Sequence, residues 1–165
     1  QQALDLCVRL LVEAGEVVAI EDPGYQGARR IFAAHGARLA PVWLDREGII
    51  VNEIPRKARL VYVAPSHQFP SGVSMSLSRR LELIEWARAR GAVLLEDDYD
   101  SEYRCSGHPI PSIQGLSGGV PVIYAGTFSK VMFPGLRVGY VVSPRQMTER
   151  LARAKWLGRS PYCRA

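Results

Sequence analysis

Residues 92–100, AVLLEDDYD, begin as an unbroken apolar run and finish in acids. A strand with one wet face would alternate apolar and polar side chains, so a continuous apolar run bounded this way fits a strand covered on both faces. Carboxylates placed directly behind it concentrate charge at the strand's end.

The flanking segments repeat this arrangement. ARLVYVAP (58–65) reads as another strand, running into the loop SHQFPSG (66–72). A helix follows in which Leu77, Leu81, Ile84 and Ala87 or Arg88 recur at helical spacing, with Ser76 or Ser78 as its cap and Gly91 as its stop. Upstream, an amphipathic helix presents Leu4, Cys7, Val8 and Leu11 on one face and ends near Gly15. EVVAIED (16–22) is then a buried strand, Pro23 and Gly24 a turn, Tyr25 to His35 a helix closed by Gly36, and ARLAPVWL (37–44) a further strand. Downstream, VPVIYAG (120–126) and RVGYVVS (137–143) are strands, and a last helix, Arg145 to Leu157, follows Pro144. Strands alternating with helices predict an α/β fold, a mostly parallel sheet with helices on both faces.

The 165 residues, 47% hydrophobic and 22% charged, suit a packed globular unit and exclude a disordered chain. No apolar run approaches the roughly 18 residues needed to span a bilayer, so a cytoplasmic, membrane-free protein is expected. Cys7, Cys105 and Cys163 are widely spaced and suggest neither a disulfide framework nor a zinc site. His35, His67 and His108 also lack metal-ligand spacing. The net charge of +5 is spread over helices rather than gathered into a nucleic-acid surface. The chain opens inside a helix and closes just behind one, as a fragment of a larger protein would.

Ligands of open α/β sheets sit beyond the carboxyl ends of the strands. That rule gathers Asp22 to Tyr25, Ser66 to Gly72, Asp97 to Tyr103, and Thr127 to Lys130. Lys130, in TFSKVMFPGLRVGY (127–140), is either a solvated loop lysine or an amine desolvated enough to attack a carbonyl and form a Schiff base. Arg137, turned back by Pro134 and Gly135, is either a surface arginine or, with the hydroxyls of Thr127 and Ser129, a phosphate fork. Asp97 ends a buried strand, where a carboxylate needs a cation, a cap or a salt bridge. Tyr99 stands two positions on. Tyr25 either packs into the core or stacks on a flat ligand. A metal on Asp97, Asp98, Asp100 and Glu102 lacks the glycine and spacing of a calcium loop, and no metal is expected. An amine for an aldehyde, an arginine with hydroxyls for a phosphate, a carboxylate for a pyridinium and an aromatic for its face together describe pyridoxal 5′-phosphate.

TFSKVMFPGLRVGY resembles the S-x-S-K-x-x-x-P-G-x-R-x-G segment of fold type I pyridoxal-phosphate proteins, the aminotransferase class I and II group, and the resemblance spans essentially the whole chain. It implies a partial large cofactor-binding domain over residues 1–165, lacking an N-terminal winged helix-turn-helix and a C-terminal small domain. It implies that Lys130 holds the cofactor as a Schiff base, and that Arg137, Thr127 and Ser129 hold its phosphate. Asp97 would then pair with the ring nitrogen, Tyr99 approach the ring hydroxyl, and Tyr25 stack on the ring. Gln1 is similar to the remnant of a G-S-Q-Q phosphate loop. Phe69 replaces the asparagine that many relatives place on the ring hydroxyl, leaving His67 or Gln68 as its substitute.

SHQFPSG together with EDDYDSEYR resembles the MocR-type regulators of the GntR family. The implied function is a sensor of amines or amino acids in a homodimeric protein that binds DNA through its missing N-terminal domain. The alternative is a working aminotransferase, which would use the same cofactor residues. The chain does not reveal the effector or substrate.

Overall fold

The computed structural model describes residues 1–99, 110–128 and 138–157. The chain runs α1 (Gln2–Leu11), β1 (Val17–Asp22), α2 (Gln26–Ala34), β2 (Arg38–Asp45), β3 (Gly48–Ile49), a single 3₁₀ turn (Val51–Glu53) and β4 (Leu60–Val63). It continues through α3 (Leu77–Arg90), β5 (Val93–Asp98), α4 (Ile113–Leu116), β6 (Val122–Thr127), β7 (Gly139–Val142) and α5 (Arg145–Leu157). Seven strands form one sheet in the order β3-β2-β1-β4-β5-β6-β7. Its centre is parallel, while β3 and β7 pair antiparallel at the two edges.

Successive side chains of a strand point to opposite faces, and each face has its own core. Val17, Ala19, Val61, Val63, Leu94 and Val122 pack beneath Leu83, Ile84 and Ala87 of α3. Val18, Ile20, Leu60, Tyr62, Leu95 and Ile123 pack beneath Leu4, Cys7 and Val8 of α1, Phe32 of α2 and Leu151 of α5. The continuous apolar runs of β1, β4 and β5 follow from this double cover. Toward the edges the rule lapses: β2 and β7 are largely uncovered, and Trp43 on β2 is exposed.

Two expectations need correction. The first helix stops at Leu11 rather than near Gly15, with Val12 already extended, and Leu11 is only partly buried. On α3, Ser76 caps by accepting from the Arg79 amide and Gly91 closes the helix in the left-handed region, but the buried face is not the one that Leu77 and Leu81 mark. Those two are 45% and 46% exposed, whereas Arg80 is fully buried with Leu83, Ile84 and Ala87. The Arg80 guanidinium donates to the carbonyls of Met75 at 3.2 Å, Pro65 at 2.9 Å and Pro111 at 2.9 Å, and lies 3.9 Å from Glu96. A cation so well supplied with acceptors can be buried where two leucines cannot reach.

From β1 the chain moves outward to β2 and β3, then returns to the other side of β1 as β4 and continues outward through β5 and β6. This reversal opens a crevice at the carboxyl ends of β1 and β4.

Candidate functional site

A cavity of about 1160 Å³ lies over that crevice. Its floor is the carboxyl ends of β1, β4, β5 and β6. The first turn of α1 walls one side, and β7 with α5 the other. Gln1, Tyr25, Asp97, Tyr99 and Thr127, five positions singled out in the sequence, all line it. Lys130, Ser129 and Arg137 lie outside the described residues, as do Asp100, Glu102, Cys105, His108 and Cys163.

Tyr25 is the residue before α2, and its ring packs over Gly27, where an added Cβ would collide with it. Its hydroxyl accepts a 3.2 Å bond from the Gln1 amide nitrogen. Thr127 closes β6, with Oγ1 donating to the Val138 carbonyl at 3.3 Å. Tyr99 follows β5 directly and meets His67 edge-on, ring centres 6.2 Å apart. Gly126 lies against the Tyr140 ring, leaving no room for a Cβ between β6 and β7.

The three carboxylates of β5 do different things. Glu96 is buried and accepts from the amides of Ile113 at 3.0 Å and Gln114 at 2.9 Å, fixing the start of α4. Asp98 accepts from the Tyr124 hydroxyl at 2.6 Å and from Ser66 at 3.4 Å. Asp97 accepts at Oδ2 a 2.6 Å bond from Tyr62, while Oδ1 has no hydrogen-bond partner among the described residues. Burial raises the Asp97 pKa, opposed by the Tyr62 hydrogen bond. A cationic N–H donor entering from the cavity would satisfy the free oxygen and offset that burial. The donor set therefore fits a protonated ring nitrogen. Among the described residues no group of three or more His, Cys, Asp or Glu side chains could hold a metal ion.

Behind this surface lies a second buried network. Glu21 accepts from the Ala64 amide at 3.2 Å and from Gln68 Nε2 at 3.3 Å, and burial pushes its pKa up to about 7. The same Gln68 nitrogen donates to the carbonyls of Pro23 and Phe69, each at 2.8 Å, and Oε1 accepts from the Ser71 amide and hydroxyl. Gln68 is thus committed to tying two loops together and does not substitute for the missing asparagine. Phe69, 53% exposed, stands at the cavity wall instead. Cys7, buried beneath the same floor, has its thiol pushed up to about 12 by burial and the Asp97 charge, and is inert at neutral pH.

Sequence reasoning did not identify Tyr62 or Glu21, and it gave Gln68 a different role. The signal was present: a tyrosine within LVYV and a glutamate closing VVAIE are polar interruptions of strands otherwise apolar.

The family described as aminotransferase class I and II matches residues 1–161. Among curated proteins, the chain is 42% identical over 154 residues to the "Probable rhizopine catabolism regulatory protein MocR" of Rhizobium meliloti, covering 93% of this chain and 31% of that protein. It is 43% identical over 146 residues to the HTH-type transcriptional regulator YhdI of Bacillus subtilis, covering 88% of this chain and 31% of that one. Among solved structures, the kynurenine aminotransferase of Pyrococcus horikoshii, in complex with PMP, superposes with a TM-score of 0.91 at 34% identity, over 96% of this chain and 42% of that one. The chain thus spans about a third of the length of these regulators.

Proposed function

The chain belongs to the aminotransferase class I and II family, and from that premise we propose that it is the pyridoxal 5′-phosphate-binding effector domain of a GntR/MocR-type DNA-binding transcriptional regulator. The observation that carries this reading is the higher identity to the two regulators, 42% and 43%, than to the aminotransferase of the same fold, 34%. The name of the second regulator, HTH-type, supports a DNA-binding domain in the rest of the protein. The PMP complex of the structural relative supports the cofactor, as does the free Asp97 oxygen facing the cavity.

When bound, the cofactor supplies an aldehyde for amines and a ring that withdraws electrons from the attached carbon. Asp97 holds a proton on the ring nitrogen, and Tyr25 covers the ring face. Tyr99 approaches the ring hydroxyl. Thr127, Ser129 and Arg137 take the phosphate, with Gln1 at its other side. Lys130 would be the amine that holds the aldehyde, and an effector amine would compete with it for that group. In a sensor, the change in the protein that accompanies such competition would be the output. The full-length protein is read as a cytoplasmic homodimer carrying a winged helix-turn-helix before this segment and a small domain after it.

Mass spectrometry of the full-length, cofactor-loaded protein with a panel of amino acids and amines tests this reading. A sensor exchanges amines with stoichiometric change at most and alters its DNA affinity. Sustained conversion of amines to oxo products, with DNA affinity unmoved, would establish an aminotransferase instead.

A further inference from the structure

Asp97 offers one oxygen to the cavity because the other is occupied. Tyr62 on β4 pairs with Leu95 on β5, so Asp97, two residues beyond Leu95, lies on the same face and within reach of the phenol. The Tyr62 hydroxyl donates to Oδ2 at 2.6 Å and is the only hydrogen-bond donor to Asp97 among the described residues. Its ring is 1% exposed, meets Phe32 edge-on with centres 5.8 Å apart, and sits in the core with Ile20, Leu60 and Leu95. The phenol cannot swing away without disturbing that packing. Cys7 from α1, Glu21 from β1, Tyr25 beside α2 and Asp98 from the same strand complete the titratable groups that act on this pair.

Resting on the cofactor reading above, we propose that Tyr62 is the positioning residue for Asp97: its hydroxyl pins Oδ2 and leaves Oδ1 as the acceptor presented to a cationic N–H donor in the cavity. The bond fixes the carboxylate's rotation and stabilises its anion. The phenol keeps its proton throughout the neutral range, since burial and the adjacent Asp97 charge hold its pKa well above the usual value. It therefore acts as a donor whether or not a ligand is bound. The consequence is a carboxylate less basic than its burial alone would make it, which leaves the shared proton on the ring nitrogen.

The test uses the full-length protein with carboxyl-labelled aspartate, followed by infrared titration without cofactor, and Asp97→Asn identifies the Asp97 band. Tyr62→Phe should raise the proton affinity of Asp97 roughly tenfold or more, and an unchanged midpoint overturns the proposal. Replacing Tyr62 by 3-fluorotyrosine, a more acidic donor that keeps the packing, should lower the midpoint. This arm decides the matter even where Tyr62→Phe fails to fold. After loading with ring-¹⁵N pyridoxal phosphate, the nitrogen resonance should move toward neutral pyridine in Tyr62→Phe, and an unmoved resonance refutes the positioning role. Wild-type protein that binds no pyridoxal phosphate would refute the cofactor reading and the ligand half of this proposal, while the cofactor-free titration still judges the Tyr62–Asp97 bond by itself.

Discussion

Glu21 is the residue at which the cost of building this site is most easily measured. It is 2% exposed and meets no cation in the described residues, only the Ala64 amide and the Gln68 amide nitrogen. Burial raises its folded pKa from 4.5 to about 7. The folded state thus holds a proton that the unfolded chain would release, so this group's contribution is fully present below about pH 4.5 and is lost as pH rises through 7. The difference amounts to about 3 kcal/mol. Glu21→Gln keeps an acceptor for both amides and removes the ionisation. Chemical denaturation of the cofactor-free full-length protein should therefore show wild type losing more stability between pH 5 and 8 than the variant, which is the more stable of the two at pH 8. Parallel curves for the two proteins would contradict the buried, partner-poor carboxylate. Sequence reading found Asp97 because its place after an apolar run is anomalous by itself. It passed over Glu21 and gave Gln68 another role because their meaning lies in partners 43 and 47 residues away, brought together only when β4 pairs with β1.

At the scale of elements, α3 separates what periodicity can tell from what packing decides. The helix, its Ser76 cap and its Gly91 stop are legible because caps and left-handed glycines act locally. Its buried face is only half legible: Ile84 and Ala87 are buried as expected, but hydropathy places Arg80 outside and Leu77 and Leu81 inside. The carbonyls of Met75, Pro65 and Pro111 invert that order for Arg80. Leu81→Ala should accordingly change stability by no more than about 0.5 kcal/mol. Arg80→Leu should cost about 3–5 kcal/mol, since it takes a donor from each of those carbonyls and leaves Glu96 buried without its cation. Urea midpoints of the two variants check this directly, and equal effects would restore the leucine face. The same contrast explains the sheet: the centre was readable from unbroken apolar runs. The two-residue β3 and the antiparallel sense of β7 were not, because a short edge strand has no periodicity and strand direction leaves no trace in composition.

For the whole molecule, the fold does not distinguish a sensor from an enzyme. The chain is similar to both kinds of relative, 42% and 43% identical to two regulators and superposing on an aminotransferase with a TM-score of 0.91, and a fold does not by itself fix a function. The chain covers about a third of the regulators and 42% of the structural relative, so any coupling between the cavity and the rest of the protein has to be measured on the full-length protein. If Lys130 holds the cofactor's aldehyde and effector amines act by replacing it, two signals must share one residue. Lys130→Ala should abolish the visible absorbance of lysine-held pyridoxal phosphate and, with it, the amine-dependent change in DNA affinity. By linkage, operator DNA should in turn shift the amine affinity of the wild type by the same factor as the amine shifts DNA affinity. Titration of each ligand in the presence of the other gives both factors. Unequal factors would mean that the binding measured is not at equilibrium between two states of one protein. An amine response that survives Lys130→Ala would mean that displacement of the lysine is not the sensing step.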